Sequence, residues 1–353
     1  MNGLHFAVVV GINRYPAISD LRAAVGDAER FVEWLADPGG GAVPVGNIEL
    51  VPASGAAVNP LLLDAAEPAV HHINRALTKV NGLAARRLEV EPERWDATRL
   101  YLFVAGHGIA PRGGDGALLA ANASSEELGH NIELSLYRRW YQLSGCFHEL
   151  VVFADCCRSV AEGAPSNGPP FTFRGRTGRP VRVTVGYASE LGGAALEGRD
   201  GDDPNLRRGY FTEALLRGLR EARDEQFGGR VSSATLPGFV SSRVDQLATG
   251  HGRRQGVEFL GVPDMTFGPP AAAAHDSPVH HVVVHFPASV AGAVELLDHD
   301  FTVRETWDPA AGPLSADLPS GLYWVVRQGH RDRAGSVGAG TFAVAGADCE
   351  VRL

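Results

Sequence analysis

Long apolar runs are missing from this sequence of 353 residues. None approaches the roughly 18 residues that indicate a membrane-spanning helix. The first residues, from Leu4 to Ile12, follow a short strand pattern and lack the charged n-region and cleavage site of a secretory signal. The sequence therefore predicts a soluble, cytoplasmic protein with no membrane partner.

Cysteine is scarce, with Cys146, Cys156, Cys157 and Cys349 as the whole set. Their spacing matches neither a disulfide framework nor a Cys-x-x-Cys metal site. A bond between the adjacent Cys156 and Cys157 would need strained geometry, so we expect free thiols.

The sequence also lacks an excess of basic residues, since 41 Asp and Glu against 32 Lys and Arg give a net charge of −9. A nucleic-acid partner would need a clustered basic face, so none is predicted. An acidic protein can instead attract basic peptides. With 44% hydrophobic and 21% charged residues, the chain has an ordinary globular composition and is long enough for two domains.

Two apolar runs are each followed by a residue suited to catalysis. A run at 102–104 precedes His107 within Gly-His-Gly, and a run at 150–153 precedes Cys157 within Asp-Cys-Cys-Arg. Each run has the length of a buried strand, and α/β proteins build their sites at the carboxyl ends of neighbouring parallel strands. We therefore predict that the fold brings His107 and Cys157 together.

The chemistry of a thiol explains why these residue types belong together. An unperturbed thiol, with a pKa of about 8.5, is only slightly ionised at neutral pH, and an imidazole can accept its proton. Taken singly, a His in a Gly-rich turn is usually solvated and a Cys after an apolar run is usually a buried apolar residue. The spacing of about 50 residues between His107 and Cys157, which is that of caspases, favours the catalytic interpretation.

The chain resembles the caspase and metacaspase family of cysteine peptidases, nearer to metacaspases and bacterial homologues than to animal caspases. The similarity rests on GINRY at 11–15, LRAAVGDA at 21–28, GHG at 106–108 and DCCRS at 155–159, with a weaker match at 185–189 and 209–216. It covers about residues 1–265 and implies a caspase-like fold and a His/Cys dyad.

Two departures from the family pattern concern the nucleophile. Cys156 stands where the family has Ser, and Arg158 and Ser159 stand at its His and Gly positions. Counting Asp-x-Cys from Asp155 selects Cys157 as the nucleophile. Adjacent side chains at a strand end point to opposite sides, so Cys156 is expected in the core.

The resemblance implies an endopeptidase that cleaves after Arg or Lys, with Asp27 and Asp155 in the pocket for that side chain. Buried carboxylates need partners, and a guanidinium supplies bidentate ones. Asp27 could instead be a residue favoured at a helix start. Animal caspases use arginines to cleave after Asp, and Arg22 lies close to Asp27 in the sequence, so a preference of this chain for Asp stays open.

The developing oxyanion would be held by backbone N–H groups, most plausibly those of Gly108 and Cys157. No third catalytic side chain is apparent in the sequence. The family that the chain resembles works with two catalytic residues, so none is required. We expect no organic cofactor and no bound metal. Calcium stays open because some metacaspases require it, although the acidic run 200–203 lacks an EF-hand pattern and favours a solvated loop.

Alternating strands and helices predict an α/β fold with a mainly parallel sheet flanked by helices on both faces. The predicted strands cover 5–12, 48–51, 100–104, 149–153 and 181–187. The predicted helices cover about 20–37, 64–85, 133–143 and 211–221.

Two segments divide the chain further. Residues 160–180 are rich in Pro, Gly and Arg and predict a long loop, for which self-cleavage at Arg174, Arg176 or Arg179 is a hypothesis. A Pro/Ala linker at 268–276 separates a peptidase domain, 1–267, from an all-β domain, 277–353.

The second domain is predicted as an Ig-like sandwich with β runs at 279–286, 292–297, 301–306, 321–328 and 340–353. It would recruit a substrate or an activator. Its His280, His281 and His285 fit a solvent face better than a metal site.

Two classes of function stay open from the sequence. The first is an active cysteine endopeptidase acting on proteins or peptides, with a role in bacterial defence or cell death as the resemblance suggests. The second is a catalytically silent caspase-like scaffold that acts by interaction. The presence of both His107 and Cys157 favours the first.

Overall fold

The computed structural model describes residues 3–52, 63, 65–111, 115–172, 178, 180–199, 207–262, 264–269, 279–298, 303–319, 321–328, 340–344 and 348–353. The chain forms two compact units, one of Met1–Glu213 with Ala248–Val262 and one of Ala214–Leu247 with Pro263–Leu353.

The helices of the described residues are α1 (Ala24–Ala36), α2 (Val70–Val90), α3 (Leu134–Ser144), α4 (Tyr210–Glu221) and α5 (Leu236–Gly250). The strands that end by residue 267 are β1 (His5–Gly11), β2 (Ile48–Pro52), β3 (Arg99–Ala105), β4 (Gly108–Ala110), β5 (Ala117–Leu119), β6 (Asn131–Glu133), β7 (Glu149–Asp155), β8 (Ser159–Val160), β9 (Arg182–Tyr187), β10 (Glu197–Arg199), β11 (Arg207–Gly209), β12 (Arg223–Asp224), β13 (Arg230–Ser232), β14 (Glu258–Gly261) and β15 (Thr266–Phe267). The later strands are β16 (Val279–His285), β17 (Val294–Leu297), β18 (Val303–Trp307), β19 (Leu314–Pro319), β20 (Gly321–Arg327), β21 (Gly340–Val344) and β22 (Cys349–Arg352).

The central sheet has six strands in the order β14-β9-β7-β3-β1-β2. Five of them run parallel, and β14 alone pairs antiparallel, on β9. Strands β1, β3, β7 and β9 are buried almost throughout, which their continuous apolar runs dictate. The predicted mainly parallel sheet is confirmed.

Helices cover both faces of this sheet because side chains alternate along each strand. Phe31 of α1 stacks on Phe103 of β3 with ring centroids 4.5 Å apart. Val8 and Leu102, which point the other way along β1 and β3, share a core cluster with Leu77 of α2. The strand ends therefore open between two helical layers.

The second predicted helix, 64–85, is wrong at both ends. Helix α2 begins at Val70, after Pro68 and an extended Ala69, and continues to Val90. A proline disfavours the helical conformation in the residue before it, so Pro68 blocks a start at Asp64, and Pro92 sets the end in the same way. Helix α1 likewise begins at Ala24 and not near Asp20. The other predicted elements before residue 222 differ by one or two residues.

The C-terminal strands form two sheets, β19-β16-β22 and β18-β17-β20-β21. Both contribute to one core cluster, which joins Val282 and Leu318 of the first sheet to Leu296, Val325 and Phe342 of the second. This is a sandwich, and its predicted β character is confirmed. Strand β19 was not predicted, and the run predicted over 340–353 is two strands with residues 345–347 outside the description.

The predicted domain boundaries stay a prediction. The two compact units place residues 214–247 with the C-terminal part of the chain, whereas the sequence places them with the peptidase domain. Each sheet, however, is built either from strands that end by Phe267 or from strands that begin at Val279 or later. Residues 270–276 of the predicted linker lie outside the described residues.

Candidate active site

The pairing of β3 with β7 sets the positions of the two predicted catalytic residues. Ala105 at the end of β3 lies opposite Asp155 at the end of β7. Beyond the strand ends, β4 and β8 resume parallel pairing, with Ile109 opposite Ser159. His107 and Cys157 follow these strand ends at the same offset, so the two residues occupy corresponding positions in neighbouring turns between the parallel ladders.

Backbone and aromatic contacts fix His107. Its backbone N–H donates to the Tyr15 hydroxyl at 2.9 Å, and the imidazole meets the Tyr15 ring edge-on with centroids 4.8 Å apart. Its Nε2 lies 2.7 Å from the Ser19 carbonyl oxygen. A carbonyl only accepts, so Nε2 carries the hydrogen and Nδ1 keeps the lone pair. Sequence reasoning missed Ser19, because any residue type supplies a carbonyl.

The two adjacent cysteines occupy different environments. Cys156 is 1% exposed and belongs to the core cluster, and burial raises the pKa of its thiol far above the ordinary value. Cys157 is half-buried, and its sulfur accepts a hydrogen bond from the Ala195 N–H at 3.3 Å. Burial also raises the pKa of the Cys157 thiol, while the Ala195 N–H lowers it. These environments make Cys157 the more accessible thiol.

Gly108 allows a close approach of the turn after β3 to the turn after β7. A Cβ at this position would lie 2.4 Å from the Cys157 carbonyl oxygen and 2.8 Å from the Cys156 sulfur. Only glycine tolerates so close an approach. The backbones of the predicted oxyanion donors, Gly108 and Cys157, are therefore in direct contact, and their role in an oxyanion hole stays a prediction.

The two predicted pocket residues also meet. Asp27 lies in the first turn of α1 and Asp155 ends β7, and they are 1% and 8% exposed. Burial and the neighbouring Asp155 charge raise the pKa of Asp27 well above its ordinary value. Burial raises the pKa of Asp155 to about 6. Two buried carboxyl groups thus lie close together beside Cys157.

Few donors neutralise this acidic pair. Asp155 accepts hydrogen bonds from the Thr212 backbone N–H at 3.1 Å and from its hydroxyl at 2.6 Å. Asp27 accepts from the Gly209 N–H at 3.0 Å and forms an ion pair with Arg30, which is four-fifths buried. The charge of Glu197 further raises the pKa of Asp155. Among the described residues, the Arg30 guanidinium faces the carboxyl groups of Asp27, Asp155 and Glu197, and this excess of negative charge suits a second cation.

Arg22, the residue that left a preference for Asp open, contributes its backbone to this region. The Arg22 and Ala23 N–H groups donate to the Glu197 carboxylate at 3.2 and 2.9 Å. Neither N–H group has a partner within α1, and the helix dipole favours an acidic group near the start of a helix. Sequence reasoning missed Glu197, which a two-stranded ribbon of β10 and β11 brings to α1.

The first part of the predicted 160–180 loop is anchored. Asn131 donates to the Pro165 carbonyl at 2.7 Å, and Asn167 accepts from the Glu133 N–H at 3.2 Å. Phe171 packs edge-on against Trp140 with centroids 5.1 Å apart. Arg174, Arg176 and Arg179 lie outside the described residues, as does the acidic run 200–203.

Two kinds of feature are absent from the described residues. None of their helices is both long and apolar enough to cross a membrane. No three His, Cys, Asp or Glu side chains among them are grouped as metal ligands.

Comparison with known proteins gives one relative in sequence. It is named "Probable protease", comes from a Desulfuromonadales bacterium and is 29% identical over 239 residues, which cover 61% of this chain and 26% of that protein. The chain thus matches about a quarter of the relative's length. No protein-family model matches the chain.

Two solved structures are similar at a low level. A crystal structure of a Geobacter sulfurreducens protein has a TM-score of 0.39 and 13% identity, and covers 74% of this chain and 94% of its own. The structure of pro-Sf-caspase-1 has a TM-score of 0.39 and 14% identity, with 73% and 91% covered. The α/β architecture described above rests on the chain's own topology, and both structures are only what this chain resembles.

Proposed function

We propose that this protein is a cysteine endopeptidase with His107 and Cys157 as its dyad and a preference for Arg or Lys before the cleaved bond. One observation carries the proposal: His107 follows Ala105 and Cys157 follows Asp155 at the same offset, in the turns between the parallel β3–β7 and β4–β8 ladders. The relative named a protease supports the same class of activity.

In the first step His107 accepts the thiol proton of Cys157 at Nδ1, since Nε2 is held by the Ser19 carbonyl. The thiolate bonds to the scissile carbonyl carbon, and the negative charge moves to its oxygen. Backbone N–H groups of Gly108 and Cys157 would stabilise this oxyanion. His107 then gives its proton to the leaving amine as the C–N bond breaks.

The second step hydrolyses the resulting thioester. His107 takes a proton from water, the hydroxide bonds to the acyl carbon, and the Cys157 thiolate leaves with a carboxylic acid as the product. His107 is free to return the proton to the sulfur. No organic cofactor or metal takes part in these steps.

The preference for a basic residue rests on the acidic pair. Asp27 and Asp155 are buried beside the nucleophile, and among the described residues Arg30 forms an ion pair with Asp27, while the charge of Glu197 adds to that of Asp155. A substrate guanidinium or ammonium would pair with them and favour their ionised forms. A substrate Asp would instead add a like charge to this region.

A panel of fluorogenic peptides that differ only in Arg, Lys or Asp at the cleaved position tests the activity and the preference together. We expect wild type to cleave the Arg and Lys peptides and Cys157→Ala to cleave none. Cys146→Ala changes another half-buried cysteine and should cleave as wild type does. Efficient cleavage of the Asp peptide would overturn the basic preference.

The alternative function is a silent interaction scaffold. An electrophilic Arg-ketone probe distinguishes the active peptidase from the scaffold. An active dyad predicts covalent labelling at Cys157 in wild type and loss of that labelling in His107→Ala. An unlabelled, folded wild type would favour the scaffold.

Self-cleavage in the 160–180 loop fits this specificity, since the anchored Phe171 would hold one new end. New N-termini after Arg174, Arg176 or Arg179 in wild type, but not in Cys157→Ala, would support it.

In this proposal the C-terminal sandwich recruits a substrate or an activator, and the enzyme works in the cytoplasm. Calcium dependence is tested by titrating peptide cleavage with calcium and a chelator.

A further inference from the structure

The turn that carries the nucleophile packs against a second segment of the chain. Residues 188–196, here called the flanking segment, run from the end of β9 to the start of β10. The Ala188 N–H donates to the Ala154 carbonyl at 2.9 Å, and the Ser189 hydroxyl donates to the Cys156 carbonyl at 3.2 Å. The Ala195 N–H reaches the Cys157 sulfur at 3.3 Å. The flanking segment thus covers part of the Cys157 thiol.

One buried side chain closes the two ends of the flanking segment. Gln255, 7% exposed, donates from Nε2 to the Ala188 carbonyl at 2.8 Å. Its Oε1 accepts from the Leu196 N–H at 2.9 Å. Because Leu196 follows Ala195, this amide also fixes the residue that touches the sulfur. Neither bond is available to an apolar side chain at position 255.

Arg158, the residue after the nucleophile, holds the middle of the flanking segment. Its N–H donates to the Gly193 carbonyl at 3.1 Å, and its carbonyl accepts from the Gly192 N–H at 2.9 Å. Its guanidinium is 2% exposed, lies 4.3 Å from the centre of the Tyr187 ring and forms an ion pair with Glu258 of β14. Arg158 therefore connects the nucleophile's turn, the flanking segment and the edge strand.

We propose that Gln255 and Arg158 are positioning residues that hold the flanking segment against Cys157 and keep its thiol shielded. The nucleophile reacts at its full rate only when this segment moves away. The inference rests on the proposed function only in taking Cys157 as the nucleophile.

Burial is the largest influence on the Cys157 thiol and raises its pKa, and the Ala195 N–H offsets it only in part. Releasing the flanking segment would return water to the sulfur, which makes it both more accessible and easier to ionise at neutral pH. Both changes favour faster reaction with a small neutral electrophile.

The test is the rate of Cys157 alkylation by iodoacetamide in the full chain, followed by peptide mass mapping from pH 6 to 10. Gln255→Met keeps the length of the side chain and removes both hydrogen bonds. We expect alkylation at pH 7 to become about tenfold faster, with a lower pH midpoint, as loss of two hydrogen bonds favours the open segment. Gln142→Met, on the exposed face of α3, is the matched control and leaves the rate unchanged.

A second variant guards against failure of the first to fold. Gly192 has a φ of +79° and space for a Cβ, so Gly192→Ala strains only the closed conformation of the flanking segment. It should accelerate alkylation in the same direction, and Glu258→Gln should do so by weakening the hold on Arg158. Unchanged or slower alkylation in folded Gln255→Met and Gly192→Ala would overturn the proposal.

Alkylation needs no peptidase activity, so the two hypotheses fail separately. A chain that cleaves no peptide but reacts faster after Gln255→Met retains this inference and loses the proposed function. If wild type cleaves Arg peptides but the variants are alkylated at an unchanged rate, the proposed function is retained and this inference is lost.

Discussion

At the scale of single residues, the buried carboxyl groups Asp27 and Asp155 are the most unusual chemical feature of the protein. Burial is the main cause of the raised pKa of each, and their proximity also raises that of Asp27. Such a pair destabilises the free protein at neutral pH. Strongly perturbed carboxyl groups cluster at functional sites, and the charge of this pair suits a cation.

Replacing Asp155 with Asn should stabilise the free protein at high pH. The pKa of Asp155 is raised to about 6, so its favourable contribution is present below pH 4 and is lost as the pH rises through 6. Asn keeps an acceptor for Thr212 and never ionises. In urea unfolding at pH 8, we expect the free energy of unfolding of Asp155→Asn to exceed that of wild type by on the order of 2 kcal/mol. At pH 4 the two free energies should be equal.

Asp20→Asn is the control for this measurement. Asp20 is exposed, and the Tyr15 N–H and the Arg14 guanidinium lower its pKa, so removing its charge gives no gain at pH 8. A wild type that is as stable as Asp155→Asn at pH 8 would show that Asp155 is not held in an unfavourable environment.

Residue types explain why the sequence predicts His107 and Cys157 as a pair and does not predict the residues that contact them. His107 and Cys157 carry reactive groups and follow apolar strands, so the sequence alone predicts that they lie together. Ser19 acts through a carbonyl, and Gln255 acts on the backbone of a distant segment. Neither function leaves a mark on the sequence, because both depend on how the chain returns to the sheet.

At the scale of elements, the junction of β11 and α4 decides whether the acidic pair can form. Gly209 ends β11, and a Cβ there would lie 2.3 Å from an Asp155 carboxylate oxygen and 2.9 Å from one of Asp27. Thr212, three residues on, supplies both hydrogen bonds to Asp155. The junction therefore fits against the carboxylates only without a side chain.

Gly209→Ala should separate these carboxylates or displace α4. We expect a loss of about 1–3 kcal/mol in the free energy of unfolding and a marked drop in kcat/KM for Arg peptides. Urea unfolding and steady-state kinetics measure the two effects. Gly46→Ala, at an exposed position with nothing within 4 Å of the added Cβ, should change neither. An unchanged kcat/KM for Arg peptides in Gly209→Ala would show that the arrangement of the acidic pair does not set the preference for Arg.

Strand ends were easier to predict than helix starts. Buried strands such as β3 and β7 are continuous apolar runs, and their bounds lie within two residues of the prediction. The start of α2 depends on Pro68, whose effect on the preceding residue outweighs the helical spacing of the apolar residues around it. Strand β19 carries Ser315 and Asp317 on an exposed face and so has too weak an apolar signal.

At the scale of the whole molecule, the division of the chain into folding units is the open structural question. All strands up to Phe267 pair among themselves, and so do those from Val279 onwards. A fragment of residues 1–267 should therefore fold with one cooperative urea transition and retain cleavage of Arg peptides. If it is unfolded or aggregated, residues 214–247 depend on the C-terminal strands, as the compact units suggest.

We propose above that Cys157 and His107 form a catalytic peptidase dyad beside a pocket for basic side chains. Mass spectrometry of the cleavage sites made in a denatured proteome tests it most directly, with wild type and Cys157→Ala compared. We expect many new N-termini after Arg or Lys with wild type and none with Cys157→Ala. The same cleavages with both proteins, or cleavage after Asp, would contradict it.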